Sequence, residues 1–299
     1  MTQANETIDT SGAAETGSAP TFLVAVEQYE PQAQRIIDDP LAAKIMPGGS
    51  KLFLKLLRIP VLRNWMIRLL EKQIEGASSA FLCRKRYIDE TIVAAIENES
   101  ITAVVNLGAG YDTRAYRLPA LATVAVWEVD QPVNIEAKKK GISSALGKIP
   151  SHVTLVPISF ITQDLAEVLN NHGYAGGKKT FFIWEAVSQY LTKAAVQQTF
   201  DFLSQAPTGS QLTFTYVLKD FIEGKNFYGA QKFHERMVIK DKIWHFGFDP
   251  AEVASFLDEY GWRLIEDISY EELNNQYAKS IGRYLPSMKI ERMVWAEKA

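Results

Sequence analysis

Residues 104–118, VVNLGAGYDTRAYRL, run from an apolar stretch straight into Gly108 and Gly110, and then into an aromatic residue, an acid and an arginine. Glycine at such a turn permits positive φ and lets a ligand approach the backbone, and the N-terminus of a following helix would add unpaired N–H groups. The first acids at the end of the next apolar run are Glu128 and Asp130, in VWEVDQP. Glu128 stands 20 residues beyond Gly108, the offset at which a β-α-β unit brings an acid to ribose hydroxyls. The position three after Gly110 is Thr113, where a dinucleotide site needs a third glycine to pack helix against strand around the pyrophosphate. No Lys-Ser or Lys-Thr follows the glycines, which excludes a P-loop. What remains is a nucleoside-type ligand without phosphates, with S-adenosylmethionine the leading candidate.

Other reactive side chains are sparse. The four histidines, His152, His172, His234 and His245, show no paired ligand spacing, so no metal site is expected. The single cysteine, Cys83, excludes an internal disulfide and reads as a buried small hydrophobe rather than a nucleophile. Residues 219–248 are aromatic and charged and read as an inserted helical lid. Within it His234 and His245 are candidate general bases, although a lone histidine in such a segment is more often a structural hydrogen-bonder. Its aromatics, Phe227, Tyr228, Phe233, Trp244, Phe246 and Phe248, fit either a pocket for a flat or greasy substrate or the contact between lid and core.

The elements that must position these residues follow from length and pattern. A chain of 299 residues with 47% apolar residues can bury a large core, as one α/β domain or a domain with an attached cap. The net charge is -3 with its bases scattered, which gives a nucleic-acid surface little support and points to a small-molecule partner. Residues 1–20, acidic and rich in Ser, Thr, Gly and Ala, read as a disordered tail without signal-peptide character, and a cytoplasmic location is expected. Residues 21–99 read as a helical cap with breaks at DDP (38–40), PGGS (47–50) and EGASS (75–79).

The most membrane-like stretch, KLFLKLLRIPVLRNWMIRLLEKQI (51–74), is interrupted by Lys55, Arg58, Arg63 and Arg68 and broken by Pro60, so it cannot span a bilayer. It reads as a packed cap helix with solvated arginines in preference to a membrane-surface helix. From residue 100 the rhythm changes. ITAVVNL, TVAVWEV, HVTLVPI, KTFFIW and QLTFTYV predict five strands separated by helix-length crossovers, and WRLIEDI and SMKIERMVWAEK close the chain as two more. The expectation over 100–299 is a doubly wound, mostly parallel seven-stranded α/β sheet.

VVNLGAGYDTRAYRL, WEVDQP and FFIWEAVSQYLT, preceded by RKRYIDE, together resemble the leucine carboxyl methyltransferase-like family of S-adenosylmethionine-dependent methyltransferases. More closely they are similar to its bacterial branch of O-methyltransferases associated with polyketides and other natural products. The resemblance runs from IIDDPLA to the C-terminus. It implies a class I, Rossmann-like methyltransferase fold with S-adenosyl-L-methionine as cofactor. Arg84, the first arginine of RKR, matches the arginine that pairs with the methionyl carboxylate, for which a guanidinium fork is suited. Gly108 and Gly110 match the turn beside the methionyl part, and Asp130 the acid that grips the ribose. Glu128 is the neighbouring candidate or orients the loop, and Asp112 either joins the site or caps the next helix.

Glu185 matches a carboxylate beside the cofactor, facing its sulfonium or amino group, and Tyr190, a catalytic candidate beside His234 and His245, either lines the same pocket or belongs to the core. Where relatives carry an acid beside the adenine, this chain has Ser159 and Phe160, with Asp164 a few residues on as a substitute. The resulting expectation is O-methylation, at a carboxylate or hydroxyl, of a small metabolite of secondary metabolism. A carboxylate needs no base, whereas an alcohol or phenol benefits from one. Two other readings stay open: a nicotinamide-dependent oxidoreductase, from the glycines and the downstream acid, and a catalytically silent cofactor-binding regulatory protein, from the missing acid near Ser159 and the lack of an obvious base.

Overall fold

The computed structural model describes residues 18–160 and 162–299. Most of the expected tail lies outside the described residues, while Ala19 and Pro20 already belong to the first helix, α1 (Ala19–Glu27), which has a proline in its first turn. The cap continues through α2 (Ala42–Ile45), α3 (Gly48–Leu56), α4 (Pro60–Gln73) and the long α5 (Ala77–Asn98). The break at PGGS is narrower than expected, since Pro47 takes the N-cap position of α3 and Gly48, Gly49 and Ser50 are its first turn; the other breaks have local causes. Asp39 of DDP accepts the backbone N–H groups of Leu41 and Ala42 at 3.1 and 3.0 Å, which starts α2. Pro60 opens α4, since its missing N–H is no loss in a first turn. Gly76, at φ 78, takes a left-handed turn so close to the Ser287–Met288 backbone that a Cβ would collide with it.

After the cap, strand and helix alternate. β1 (Ala103–Leu107), β2 (Ala125–Asp130), β3 (Val153–Pro157), β4 (Thr180–Trp184) and β5 (Gln211–Val217) pair in parallel. β1, β4 and β5 are buried along their whole length. A parallel strand covered on both faces buries both rows of side chains, which is why these segments read as unbroken apolar runs. One turn of helix, α6 (Arg114–Arg117), follows β1. The crossovers after β2, β3 and β4 are α7 (Pro132–Leu146), α8 (Leu165–Asn171) and α9 (Lys193–Ser204).

The lid follows β5 as α10 (Lys219–Ile222), α11 (Gln231–His234) and a π-helical turn over Glu235–Lys240. The chain then forms α12 (Pro250–Glu259), β6 (Trp262–Ser269), α13 (Tyr270–Tyr277) and β7 (Glu291–Lys298). β7 runs antiparallel between β5 and β6, giving the order β3-β2-β1-β4-β5-β7-β6. All seven expected strands form. The order reverses between β1 and β4, and ligands of open α/β sheets bind in the crevice at the carboxyl ends of the strands at such a point.

The expected helix after the glycine turn is present but short. Pro119 forces the preceding Leu118 into an extended conformation (φ -84, ψ 117), so α6 ends after a single turn. No helix among the described residues is long and apolar enough to cross a membrane.

Candidate active site

A cavity of about 520 Å³ lies at the switch point, between the ends of β1, β2 and β4, the cap and the lid. Its floor is the glycine turn. Gly108 adopts φ 75, and a Cβ there would strike the Val187 side chain. The N–H groups of Gly108 and Ala109 both donate to the Val129 carbonyl, at 2.8 and 3.0 Å, which fastens the turn to the end of β2. Asp130, the last residue of that strand, accepts the Gly110 N–H on Oδ2 at 2.6 Å. Its Oδ1 accepts from the Gln131 N–H at 2.6 Å and from Asn134 Nδ2 at 2.7 Å. On the opposite wall Ala186, just past β4, is held at φ 57, an unusual conformation for a residue with a side chain and one that clusters at functional sites.

Behind this floor lies a buried ionic network. Arg84 of α5 donates Nε to Glu185 at 2.8 Å and Nη1 to Glu291 at 3.3 Å and the Tyr270 hydroxyl at 3.5 Å; its Nη2 enters none of these bonds. Lys85 approaches Glu185 at 3.4 Å, and Arg114 reaches the same carboxylate with Nη1 at 3.0 Å while its Nε pairs with Asp89 at 2.8 Å. Arg114 Nη1 also pairs with Asp112. Burial opposes ionisation of Glu185, but the charges of Lys85, Arg114 and Arg84 outweigh it and hold its carboxyl at about 2. For Asp112 burial is likewise outweighed, by Arg114, Lys85 and Lys138, and its carboxyl sits below the usual range. Both acids are anions at neutral pH. Burial instead raises Glu291, with Arg84 opposing.

Of the site residues expected from sequence, Arg84, Gly108, Gly110, Asp112, Asp130, Ser159, Phe160, Glu185 and Tyr190 line the cavity. Five other expectations come out differently. Glu128 is not in the cavity wall: it is buried one step deeper along β2, paired to Lys138 Nζ at 2.7 Å and accepting the Tyr116 hydroxyl at 2.6 Å. Asp164 caps α8 by accepting the Glu167 N–H at 2.7 Å and does not reach the cavity. His234 is buried outside the cavity, its Nε2 against the Ile222 carbonyl at 3.3 Å and its ring edge-on to Phe221 and Phe227. His245 is exposed and is likewise absent from the lining. Asp112 does not cap α6 from the N-cap position, which Thr113 occupies; it accepts the Arg114 N–H at 2.7 Å as a local turn.

Several lining or supporting residues escaped the sequence reading. Lys85 and Arg114 lay inside quoted motifs but carried no spacing signal, whereas Glu291 and Tyr270 come from the far end of the chain and carried none at all. Thr113 has a positive role besides excluding a pyrophosphate. Its hydroxyl donates to Asp39 at 2.5 Å, and Arg117 Nε meets the same carboxylate at 3.3 Å, which ties the DDP break of the cap to the glycine turn. Cys83 is fully buried, and burial pushes its thiol up to about 12, so it has little thiolate at neutral pH. Among the described residues no group of three His, Cys, Asp or Glu side chains is arranged to hold a metal ion.

The profile of the family described as Leucine carboxyl methyltransferase matches residues 18–204, more than half of the chain. A protein of Mycobacterium marinum, provisionally named S-adenosyl-L-methionine-dependent methyltransferase, is 31% identical over 202 residues, 64% of this chain and 64% of its own length. The chain thus spans just under two thirds of that relative. A similarly named protein of Mycolicibacterium smegmatis is 27% identical over 283 residues, covering 87% of this chain and 88% of that one. Among solved structures, a provisionally named methyltransferase of Thermobifida fusca superposes with a TM-score of 0.60 at 12% identity, over 91% of this chain and 97% of that chain. A DUF574 family protein of Streptomyces avermitilis gives 0.57 at 13% identity, over 78% and 88%. At such identities the structures speak for the fold alone.

Proposed function

The chain belongs to the leucine carboxyl methyltransferase family of S-adenosyl-L-methionine-dependent methyltransferases, and from that premise we propose that it methylates an oxygen of a small, largely apolar metabolite. A carboxylate is the accepting group, and a polyketide-type acid fits. Family membership takes the place of the nicotinamide reading.

The donor set at the switch point fits the cofactor. Asp130 faces the cavity with one acceptor position left for a ribose hydroxyl, since a carboxylate has about four and three are in use. Arg84 Nη2 remains for the methionyl carboxylate, the Gly108–Gly110 backbone offers a close edge, and the ionised Glu185 complements a cationic amino group. The Phe160 ring gives adenine a face to stack on, with Ser159 beside it. When bound, S-adenosylmethionine supplies a methyl group already activated by its sulfonium, so the protein has to align the acceptor and exclude water.

The acceptor reading rests on one observation. Toward the lid the lining changes to Leu70, Phe81, Phe233, Met237, Trp244 and Met288, with no histidine among them. Such a wall suits a greasy acceptor and keeps water out, but it offers no base to deprotonate an alcohol. Arg236, whose Nε pairs with Asp241 at 3.3 Å, brings positive charge to the lid side, where it attracts an anionic acceptor. The test is transfer of labelled methyl to paired apolar acids and their alcohol analogues. Acids are expected to react, at a rate that is flat with pH above the acid's own pKa. Transfer to the alcohols alone, rising with pH, would overturn the carboxylate assignment. No transfer to any acceptor would favour the silent-partner reading.

A further inference from the structure

The consecutive helices α3 and α4 show apolar side chains to solvent. Leu52, Leu56 and Ile59 are 65, 51 and 51% exposed, and Val61, Trp65 and Leu69 are 75, 60 and 40% exposed. Val61, Trp65 and Leu69 recur every four residues, so they form one stripe along α4. Arg68 and Lys72 stand on the same side of the helix as this stripe, and Lys51 and Lys55 flank Leu52 and Leu56 on α3. Met66, Ile67 and Leu70 turn inward against the core, and the apolar stripe is a second one that nothing among the described residues covers. Arg63 is 8% exposed and pairs with Glu30 at 3.2 Å, whereas Trp65, two residues on, faces water.

Charge is segregated here as well. Between Asp39 and Glu71 the sequence has six bases, Lys44, Lys51, Lys55, Arg58, Arg63 and Arg68, and no acid, in a chain whose net charge is -3. An exposed apolar stripe edged by bases and free of acids is complementary to an anionic bilayer surface, with the aromatic and aliphatic groups entering the acyl boundary and the bases meeting headgroup charge. A second copy of the chain is a poorer partner. A two-fold contact through this face would set each copy's bases against the same bases of the other, and like charges brought together resist association. The face also adjoins the cavity, because the same helix lines it with Leu70 and Gln73, and Ile74 follows at its end.

We propose that the outward face of α3–α4 docks the protein peripherally on anionic lipid bilayers. The claim is independent of which acceptor is methylated, since docking is read without any transfer. The experiment is cosedimentation of the full chain with vesicles of phosphatidylglycerol and phosphatidylcholine in equal parts, and with phosphatidylcholine alone. Binding is expected to the anionic vesicles only, weakening strongly between about 0.1 M and 1 M salt as the Debye length shrinks from ~10 to ~3 Å. Arg68→Gln and Lys72→Gln are each expected to lower partitioning roughly fivefold, and Trp65→Ser by at least as much. None of these three residues lines the cavity, so binding of S-adenosylhomocysteine should be unchanged in every variant and serves as the control for folding.

Absence of binding to anionic vesicles at low salt would overturn the proposal, as would equal binding by wild type and Trp65→Ser. Self-association of the wild type that Trp65→Ser abolishes, without vesicle binding, would assign the face to a second copy and overturn it equally.

Discussion

Asp130→Ala is the sharpest test of the cofactor site. The substitution removes a carboxylate that lines the cavity and at the same time releases the Gly110 N–H, the Gln131 N–H and the Asn134 amide. A hydrogen bond to a charged group contributes about 1.5–3 kcal/mol, and three bonds inside the protein leave the carboxylate room for one ribose hydroxyl. Freeing the Gly110 N–H from its 2.6 Å bond loosens the floor of the site and adds about 0.5–1.5 kcal/mol. Together these give roughly 2–4.5 kcal/mol, or about 30- to 2000-fold weaker binding of S-adenosylhomocysteine. Asp130→Asn should lose most of the same energy, because its amide N–H₂ must face either the Gly110 or the Gln131 N–H, donor against donor. The assay is isothermal titration of S-adenosylhomocysteine into each variant, with circular dichroism to show that it is folded. Asp164→Ala, an exposed cap outside the cavity, is the control: it should keep the affinity and lose about 1 kcal/mol of stability. An Asp130→Ala protein that folds and binds within about threefold of wild type would refute the assignment of Asp130 to the ribose.

Three further outcomes are expected. Gly108→Ala meets both a left-handed φ of 75 and the Val187 side chain, so it should lower the unfolding midpoint by a ΔΔG of about 2 kcal/mol or more and weaken cofactor binding; denaturant titration would show otherwise if the midpoint were unchanged. Cys83, with its thiol at about 12 and no exposure, should resist aromatic disulfide reagents at pH 8 and react fully in denaturant; rapid labelling of the folded chain would contradict its burial. Glu185 has its carboxyl held at about 2 against an ordinary 4.5, so its stabilisation is complete above 4.5 and is lost as pH falls toward 2. The stability difference between wild type and Glu185→Gln should therefore shrink by about 2 kcal/mol between pH 5 and pH 3. A difference constant over that range would mean that Glu185 is not held ionised by Arg84, Lys85 and Arg114.

The sequence by itself determined the features that depend on short contiguous stretches. The central strands β1, β4 and β5 were legible because parallel strands buried on both faces need unbroken apolar runs, and the glycine turn because only glycine accepts the φ of Gly108 so near Val187. Thr113 was legible as an exclusion of pyrophosphate, though not as the hydroxyl that binds Asp39.

Tertiary structure alone decided what depends on depth, direction and distant partners. Glu128 and Asp130 lie two apart and share a face of β2, so no pattern separates them; the deeper one is taken by Lys138, and the one at the strand end reaches the cavity. The partners of Arg84 arrive from Glu185 and Glu291, 101 and 207 residues away, and chain folding is what brings them together. The two lid histidines were legible as chemistry but not by place, and for His234 the packing of Phe221 and Phe227 around its ring decides it. Helical spacing likewise showed α4 to be amphipathic. Only its neighbours decided that Arg63 would turn inward to Glu30 and Trp65 outward to solvent.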